Sequence, residues 1–114
     1  EIHQRLDHLP LPLSLTVLGL GEDGHIASLF PGMNPDLLST HHCVVVAPPI
    51  APSLRISLSL KMLVESEHIA LVVTGKSKRR LLDQLNEYPD PKLPIVWLLQ
   101  RAHVSITVFE VDGI

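Results

Sequence analysis

A glycine-rich turn that carries a histidine is the first feature of this chain that could do chemistry. Gly19, Gly21 and Gly24 follow an apolar run, and Asp23 and His25 lie within the same turn. Glycine lets the backbone come close to a ligand, and an imidazole titrates near neutral pH. We therefore interpret this turn as a loop that presents His25 and backbone N–H groups to a small, oxygen-rich ligand.

The glycine spacing, GxGxxG, also begins a dinucleotide-binding fingerprint. That fingerprint needs a full helix after the third glycine and an acidic residue about 20 residues further on. Here the predicted helix, His25–Phe30, ends at Pro31, and the corresponding window offers only Asp36, in a loop. The sequence therefore disfavours a dinucleotide cofactor.

Two cationic positions are candidates for binding an anion. The segment TGKSK, residues 74–78, places Gly75 before a predicted helix, whose N-terminal N–H groups and dipole favour anions. Lys78 on the first turn could add a point charge to a phosphate, although a solvated helix face explains it equally well. Arg55 opens a predicted strand and could grip a carboxylate or phosphate, but a surface charge is the simpler interpretation.

Metal and serine-hydrolase chemistry are disfavoured by the spacing of the chain's polar residues. The seven histidines show no HxxxH or HxH spacing, and Cys43 has no cysteine with which to form a zinc-binding pair. The sequence also lacks the GxSxG turn of the α/β-hydrolases. We expect neither a metal nor an organic cofactor.

Composition limits the class of protein and its partners. The 114 residues suffice for one core, and the net charge of −3 argues against a nucleic-acid platform. No apolar run reaches the roughly 18 residues that span a membrane. A single cysteine fits a reducing compartment, so we expect a cytoplasmic protein with neither nucleic-acid nor membrane partners.

Strand-like and helix-like segments alternate along the chain. The predicted strands are Leu13–Leu18, Cys43–Ala47, Arg55–Leu60, Ile69–Val73, Ile95–Leu99 and Val104–Val111. The predicted helices are His25–Phe30, Lys61–Glu67 and Lys76–Asn86. The apolar run at 13–18 predicts burial on both faces, whereas the alternation in 55–60 predicts that Ile56 and Leu58 face the core. The order predicts an α/β, Rossmann-like fold with a mainly parallel sheet flanked by helices, and ligands bind at the carboxyl ends of such strands.

Four segments together resemble one protein family. GLGEDGHIASLFPG, residues 19–32, closely resembles the signature of the 6-phosphogluconolactonases. RISLSL at 55–60 and LVVTGKSK at 71–78 resemble later segments of that family, in the same order. Residues 94–99 and 104–112 resemble its closing strands.

The resemblance implies hydrolysis of 6-phosphoglucono-δ-lactone to 6-phosphogluconate, in the pentose phosphate pathway, without a cofactor. It implies that His25 is the general base and that Asp23 or Glu22 orients it. Loop N–H groups near residues 21–24 would stabilise the oxyanion. The substrate, a phosphosugar lactone, would be bound by a set of glycines and cations: Gly19, Gly21, Gly24, Arg55, Gly75 and Lys78.

The resemblance covers only the C-terminal portion of the family's sequence. The SGGxTP-like and DERxVP-like segments of the family's first half do not occur in residues 1–114. We therefore expect a single partial domain, with residues 1–12 as a connecting segment, that forms the C-terminal half of a larger α/β domain. Alone it should be weakly active or inactive, and an exposed sheet edge should favour self-association.

Two alternatives remain open from the sequence. Glucosamine-6-phosphate isomerases/deaminases share the DGHIA core at residues 23–27, but the continuation SLFPG favours the lactonase branch. The second alternative is a module that binds sugar phosphates without catalysis.

Overall fold

The computed structural model describes residues 10–46 and 55–112, and these form five strands and three α-helices. The strands are β1 (Thr16–Gly19), β2 (Cys43–Val46), β3 (Arg55–Leu58), β4 (Ile69–Thr74) and β5 (Ile106–Val111). The helices are α1 (Leu60–Val64), α2 (Lys76–Glu87) and α3 (Pro94–Arg101), and Leu37–Ser39 form a 3₁₀ turn. The predicted connecting segment lies largely outside the described residues, as does the predicted strand end at Ala47.

The main sheet is parallel, as the alternation of strands and helices predicts. β4 lies between β1 and β5 and runs parallel to both, with Thr16 opposite Ile69 and Ile69 opposite Ile106. β2 and β3 form a separate antiparallel pair. The α/β fold class with a mainly parallel, helix-flanked sheet is confirmed.

One face of the main sheet carries the core, and the other face is exposed. Leu18, Leu71 and Val73 are buried in one hydrophobic cluster with α3. On the opposite face Val17 is 60% exposed and Phe109 is 53% exposed. The prediction that the first strand is buried on both faces is therefore wrong, because no helix among the described residues covers that second face.

The predicted strand Ile95–Leu99 is a helix. Pro94 occupies the first helical turn, where its missing N–H costs nothing. Residues from Pro94 to Leu98 are all buried, and Trp97 Nε1 donates a hydrogen bond to the Pro91 carbonyl at 2.6 Å. A short apolar run buried on every side has no period that separates a strand from a helix, which explains the error.

The predicted helix His25–Phe30 is a tight turn. Ile26 and Leu29 are fully buried and exchange backbone hydrogen bonds of 3.3 and 2.9 Å, and between them Ala27 has a φ of 48°. That left-handed conformation is incompatible with a helix. Buried residues three positions apart, such as Ile26 and Leu29, occur in a tight turn as well as on one face of a helix, so their spacing did not distinguish the two.

The third strand is shorter than predicted, and of its two apolar residues Leu58 packs against the core as predicted, whereas Ile56 does not. The strand ends at Leu58, because Ser59 caps α1 by accepting a hydrogen bond from the Met62 N–H. Ile56 is 57% exposed, whereas Ser57 is 6% exposed. The hydroxyl of Ser57 accepts a backbone hydrogen bond from the loop of residues 26–29, so the serine turns inward and the alternating isoleucine turns outward.

Candidate active site

The candidate site lies where β1 and β4 end. Gly19 is opposite Val72 in the parallel register, so the loops that follow the two strands emerge at the same edge of the sheet. A cleft of about 430 Å³ opens between them. Its lining residues are Gly19, Leu20, Gly21, His25, Ala27, Val72, Thr74 and Lys78. The structure thus brings together the two loops that the sequence predicted as ligand-binding.

Asp23 holds His25 through both its ring and its backbone. Asp23 Oδ1 lies 2.5 Å from His25 Nδ1 and accepts the backbone N–H of His25 at 3.1 Å. A carboxylate on Nδ1 favours the neutral tautomer that carries its proton there, which leaves the Nε2 lone pair to accept a proton. This is the arrangement that a general base requires.

The carboxyl group of Asp23 is held in its charged form. Partial burial raises its pKa, but the hydrogen bonds from the His25 side chain and backbone and the attraction to that ring outweigh burial and leave the pKa below its ordinary value. Asp23 is therefore an ionised acceptor at neutral pH.

Gly21 makes room for the imidazole. A Cβ placed on Gly21 would overlap Nδ1 and Cε1 of His25. The Gly21 N–H donates to the His25 carbonyl at 2.9 Å, which closes the loop on itself. Glycine is required at position 21 because the imidazole of His25 lies too close to the backbone for any side chain to fit there.

Helix α3 contacts and supports the loop that carries His25. Gly24 has a φ of 87°, and a Cβ on it would lie 3.1 Å from Leu93. The N–H of Ile95, in the first turn of α3, donates to the Gly24 carbonyl at 3.0 Å. This helix, which was predicted as the strand Ile95–Leu99, therefore anchors the loop that carries His25, the histidine loop.

The N–H groups of Gly21 and Gly24 are already in use. The first donates to the His25 carbonyl, and the second donates to the Gly21 carbonyl at 3.0 Å. The expectation that N–H groups near residues 21–24 bind an oxyanion therefore does not extend to these two glycines in this conformation.

Lys78 supplies positive charge to the cleft. It is partly buried, and its Nζ donates to Thr74 Oγ1 at 3.3 Å. Gly75, with a φ of 83°, precedes α2 and lets the helix begin directly after β4. Ser77 Oγ donates to Glu22 Oε1 at 3.4 Å and so joins this loop to the histidine loop.

Four predicted site residues are not part of the cleft lining: Asp23, Gly24 and Gly75 lie in the two loops beside it, whereas Arg55 lies on a different strand. It lies exposed at the start of β3, opposite Val46 in the antiparallel pair, and it is not among the residues that line the cleft. Its predicted role in binding the substrate stays a prediction.

Five residues at the site were not predicted as site residues. Leu20, Ala27, Val72 and Thr74 line the cleft, and the Phe30 ring lies 4.8 Å from the imidazole of His25. Ala27 and Phe30 belong to the motif at residues 19–32, so their position in it was the available signal.

Within residues 10–46 and 55–112, no group of three or more histidine, cysteine, aspartate or glutamate side chains is placed to hold a metal ion. The helices found there are all too short or too polar to cross a membrane.

Comparison with known proteins decides the family. The family model for glucosamine-6-phosphate isomerases/6-phosphogluconolactonase matches residues 1–108. The chain belongs to this family. A 6-phosphogluconolactonase of Caulobacter vibrioides is 41% identical over 105 residues, which are 85% of this chain and 44% of that protein. One from Helicobacter pylori is 38% identical over 97 residues, or 83% of this chain and 43% of that protein.

A solved structure of the family shows the same fold. The crystal structure of a 6-phosphogluconolactonase from Shewanella baltica matches with a TM-score of 0.85 at 30% identity. The match covers 97% of this chain and 49% of that one. The chain thus spans about half the length of the family members it matches.

Proposed function

We propose that this chain carries the catalytic histidine of a 6-phosphogluconolactonase, which hydrolyses 6-phosphoglucono-δ-lactone to 6-phosphogluconate. The observation that carries the proposal is the Asp23–His25 pair, 2.5 Å apart, at a cleft that also contains Lys78. The named lactonases among the relatives support the substrate. The chain would act as a single partial domain, the C-terminal half of a larger one.

The proposed reaction uses His25 twice. Nε2 removes a proton from water while the water oxygen bonds to the lactone carbonyl carbon. When the tetrahedral intermediate collapses, the bond from that carbon to the ring oxygen breaks, and the imidazolium returns its proton to the leaving oxygen. Asp23 stabilises the transient positive charge on the ring through the bond to Nδ1.

Lys78 is the proposed phosphate-binding group. Its ammonium lies in the same cleft as His25, at the start of a 12-residue helix whose N-terminus also favours an anion. A phosphate held there would place the lactone ring within the cleft. Gly19, Gly21, Gly24 and Gly75 would shape the backbone around it.

A lactonase assay tests the proposal. Acid production from freshly prepared lactone is measured at neutral pH, with spontaneous hydrolysis subtracted, in the chain itself and in a protein that joins it to the other half of a family member. His25→Ala should abolish the excess rate, whereas His103→Ala, an exposed histidine after α3, should not. No excess hydrolysis in either protein, or an unchanged rate in His25→Ala, would overturn the proposal.

The same preparations separate the alternatives. Ammonia release from glucosamine-6-phosphate that exceeds lactone hydrolysis would favour the isomerase/deaminase branch of the family. Binding of 6-phosphogluconate without turnover in either protein would favour a non-catalytic sugar-phosphate module.

We also propose that the chain self-associates through an exposed edge of its main sheet, together with the apolar face beside that edge. Leu15, Val17 and Phe109 are exposed there beside a largely apolar groove of about 440 Å³, and β1 and β5 are the outer strands among the described residues. Sedimentation velocity should show a concentration-dependent dimer that Val17→Lys dissociates. Leu37→Lys, an equally exposed site in the 3₁₀ turn, should leave it intact. A monomer at all concentrations would contradict the proposal.

We further propose a cytoplasmic location, since a chain with one cysteine suits a reducing compartment. Fractionation of cells that produce the protein tests this, and recovery with an extracellular fraction would contradict it.

A further inference from the structure

One contact of His25 has no part in the proposed reaction. The ring of Phe30 lies 4.8 Å from the imidazole, centroid to centroid, at an interplanar angle of 33°. Aromatic rings at this separation attract each other beyond simple burial. The two rings belong to opposite ends of the turn at residues 26–29.

The backbone on each side of this contact is fixed. The His25 carbonyl accepts from the Gly21 N–H at 2.9 Å, and the His25 N–H is bound by Asp23. At the other end, the Phe30 N–H donates to Met33 Sδ at 3.2 Å and the Phe30 carbonyl accepts from Met33 at 3.4 Å. The backbone positions from which the two rings extend are therefore fixed, and only the side-chain torsions remain to be set.

The turn between the two residues is tied to another strand. The N–H of Ser28 donates to the hydroxyl of Ser57 at 3.2 Å, and that hydroxyl donates to the Leu58 carbonyl at 2.9 Å. Ile26 and Leu29 are fully buried on either side of Ala27, whose left-handed φ costs energy that the surroundings must offset. The turn is strained and is held by these hydrogen bonds and by burial, so it gives the Phe30 ring a rigid support.

The hydrogen bond from Asp23 leaves the imidazole some freedom. A hydrogen bond at Nδ1 tolerates small rotations about χ1 and χ2 of His25, and these would move Nε2 within the cleft. Gly21 and Phe30 limit this rotation, the first through close backbone approach and the second through ring contact. Catalytic groups must be held within about 0.5 Å of the productive geometry.

We propose that Phe30 is a positioning residue, whose ring fixes the plane of the His25 imidazole so that Nε2 is presented to the substrate. The inference rests on the proposed role of His25 as general base. Phe30 is not among the residues that line the cleft, so it would act only through the histidine.

Side-chain NMR on the 114-residue chain tests the geometry independently of activity. The Cε1 proton and χ1 couplings of His25 are measured in wild type, Phe30→Leu and Phe30→Tyr, with Tyr88→Leu, an exposed aromatic residue at the end of α2, as the control. Phe30→Leu should remove the ring-current shift at His25 and average its χ1. Phe30→Tyr and Tyr88→Leu should preserve both. An unaltered His25 signal in Phe30→Leu would overturn the inference.

Kinetics then separates positioning from stability. In the joined protein, Phe30→Leu should lower kcat by about tenfold to 100-fold with KM within about twofold, and Phe30→Tyr should restore it. A fall in kcat that Phe30→Tyr does not restore, or one matched by Tyr88→Leu, would overturn the inference. If Phe30→Leu does not fold, two other results test the inference: wild type must show the ring-current shift at His25, and Phe30→Tyr must preserve it. If wild type shows the NMR contact but no turnover, the proposed function fails and the contact stands.

Discussion

Asp23 Oδ1 contacts both Nδ1 of the His25 ring, at 2.5 Å, and the backbone N–H of the same residue, at 3.1 Å. One carboxylate thus holds the conformation of the loop and anchors Nδ1 of the side chain that the loop presents. Changes at Asp23 should therefore affect stability as well as catalysis.

Asp23→Asn should change how stability depends on pH. The folded-state pKa of Asp23 is lowered, so the ionised carboxylate stabilises the fold above its unfolded value of about 3.9, and this contribution is lost as pH falls through the folded value. The unfolding temperature of wild type should exceed that of Asp23→Asn at neutral pH. Calorimetry from about pH 7 to about pH 3 should show the difference shrinking below about pH 4.

Repeating the Asp23→Asn comparison in a His25→Ala protein shows whether His25 is the residue through which the carboxylate stabilises the fold. In His25→Ala, Asp23→Asn should produce a smaller difference with weaker pH dependence, because the side-chain hydrogen bond has gone. A difference that stays constant with pH in the wild-type background, or grows as pH falls, would contradict the assignment.

Gly21→Ala should displace the imidazole. The new methyl group would occupy the position of Nδ1 and Cε1, so the ring must leave Asp23. Gly19→Ala is the matched control, since no described atom lies within 4 Å of a Cβ there. The NMR signal of the His25 ring should change in the first variant and persist in the second. Equal spectra for the two variants would show that the loop adapts to the methyl group.

Gly75→Ala should cost about 1–2 kcal/mol of unfolding free energy. No described atom obstructs a Cβ on Gly75 within 4 Å, so the cost arises from its φ of 83° alone. Gly19→Ala has the same open space without that φ and should be neutral or slightly stabilising. Urea denaturation compares the two. Equal midpoints would mean that the start of α2 relaxes at no cost.

Lys78→Met should weaken binding of 6-phosphogluconate by about tenfold, the equivalent of one lost charge-assisted hydrogen bond of about 1.5 kcal/mol. Gluconate, which lacks the phosphate, should bind wild type and variant alike. Lys76→Met is the control, because Lys76 lies exposed on the same helix, away from the cleft lining. Calorimetric titration of the chain measures all three proteins. An equal loss in both lysine variants would indicate a general charge effect.

The parts of the site that the sequence predicts are local or follow from sheet topology. Asp23 and His25 are two positions apart, so a tight turn brings them together whatever the rest of the chain does. Lys78 meets His25 because parallel strands end at the same edge, and both residues follow strands that pair. The need for glycine at position 21 follows only from the tertiary structure, in which the imidazole of His25 lies where a Cβ would be.

The sequence by itself determined the strand–loop–helix order, the parallel sheet and the loop that presents His25, because these depend on apolar runs and glycine spacing. Tertiary structure decided what those patterns leave ambiguous. The apolar run at Ile95–Leu99 fits a strand or a helix equally, and in the fold it is a helix whose first turn donates the Ile95 N–H to the Gly24 carbonyl. Ser57 rather than Ile56 turned inward because the turn at Ser28 offers an N–H to bind. Burial and hydrogen-bond pairing are set by neighbours distant in sequence, so no local pattern could have decided either outcome.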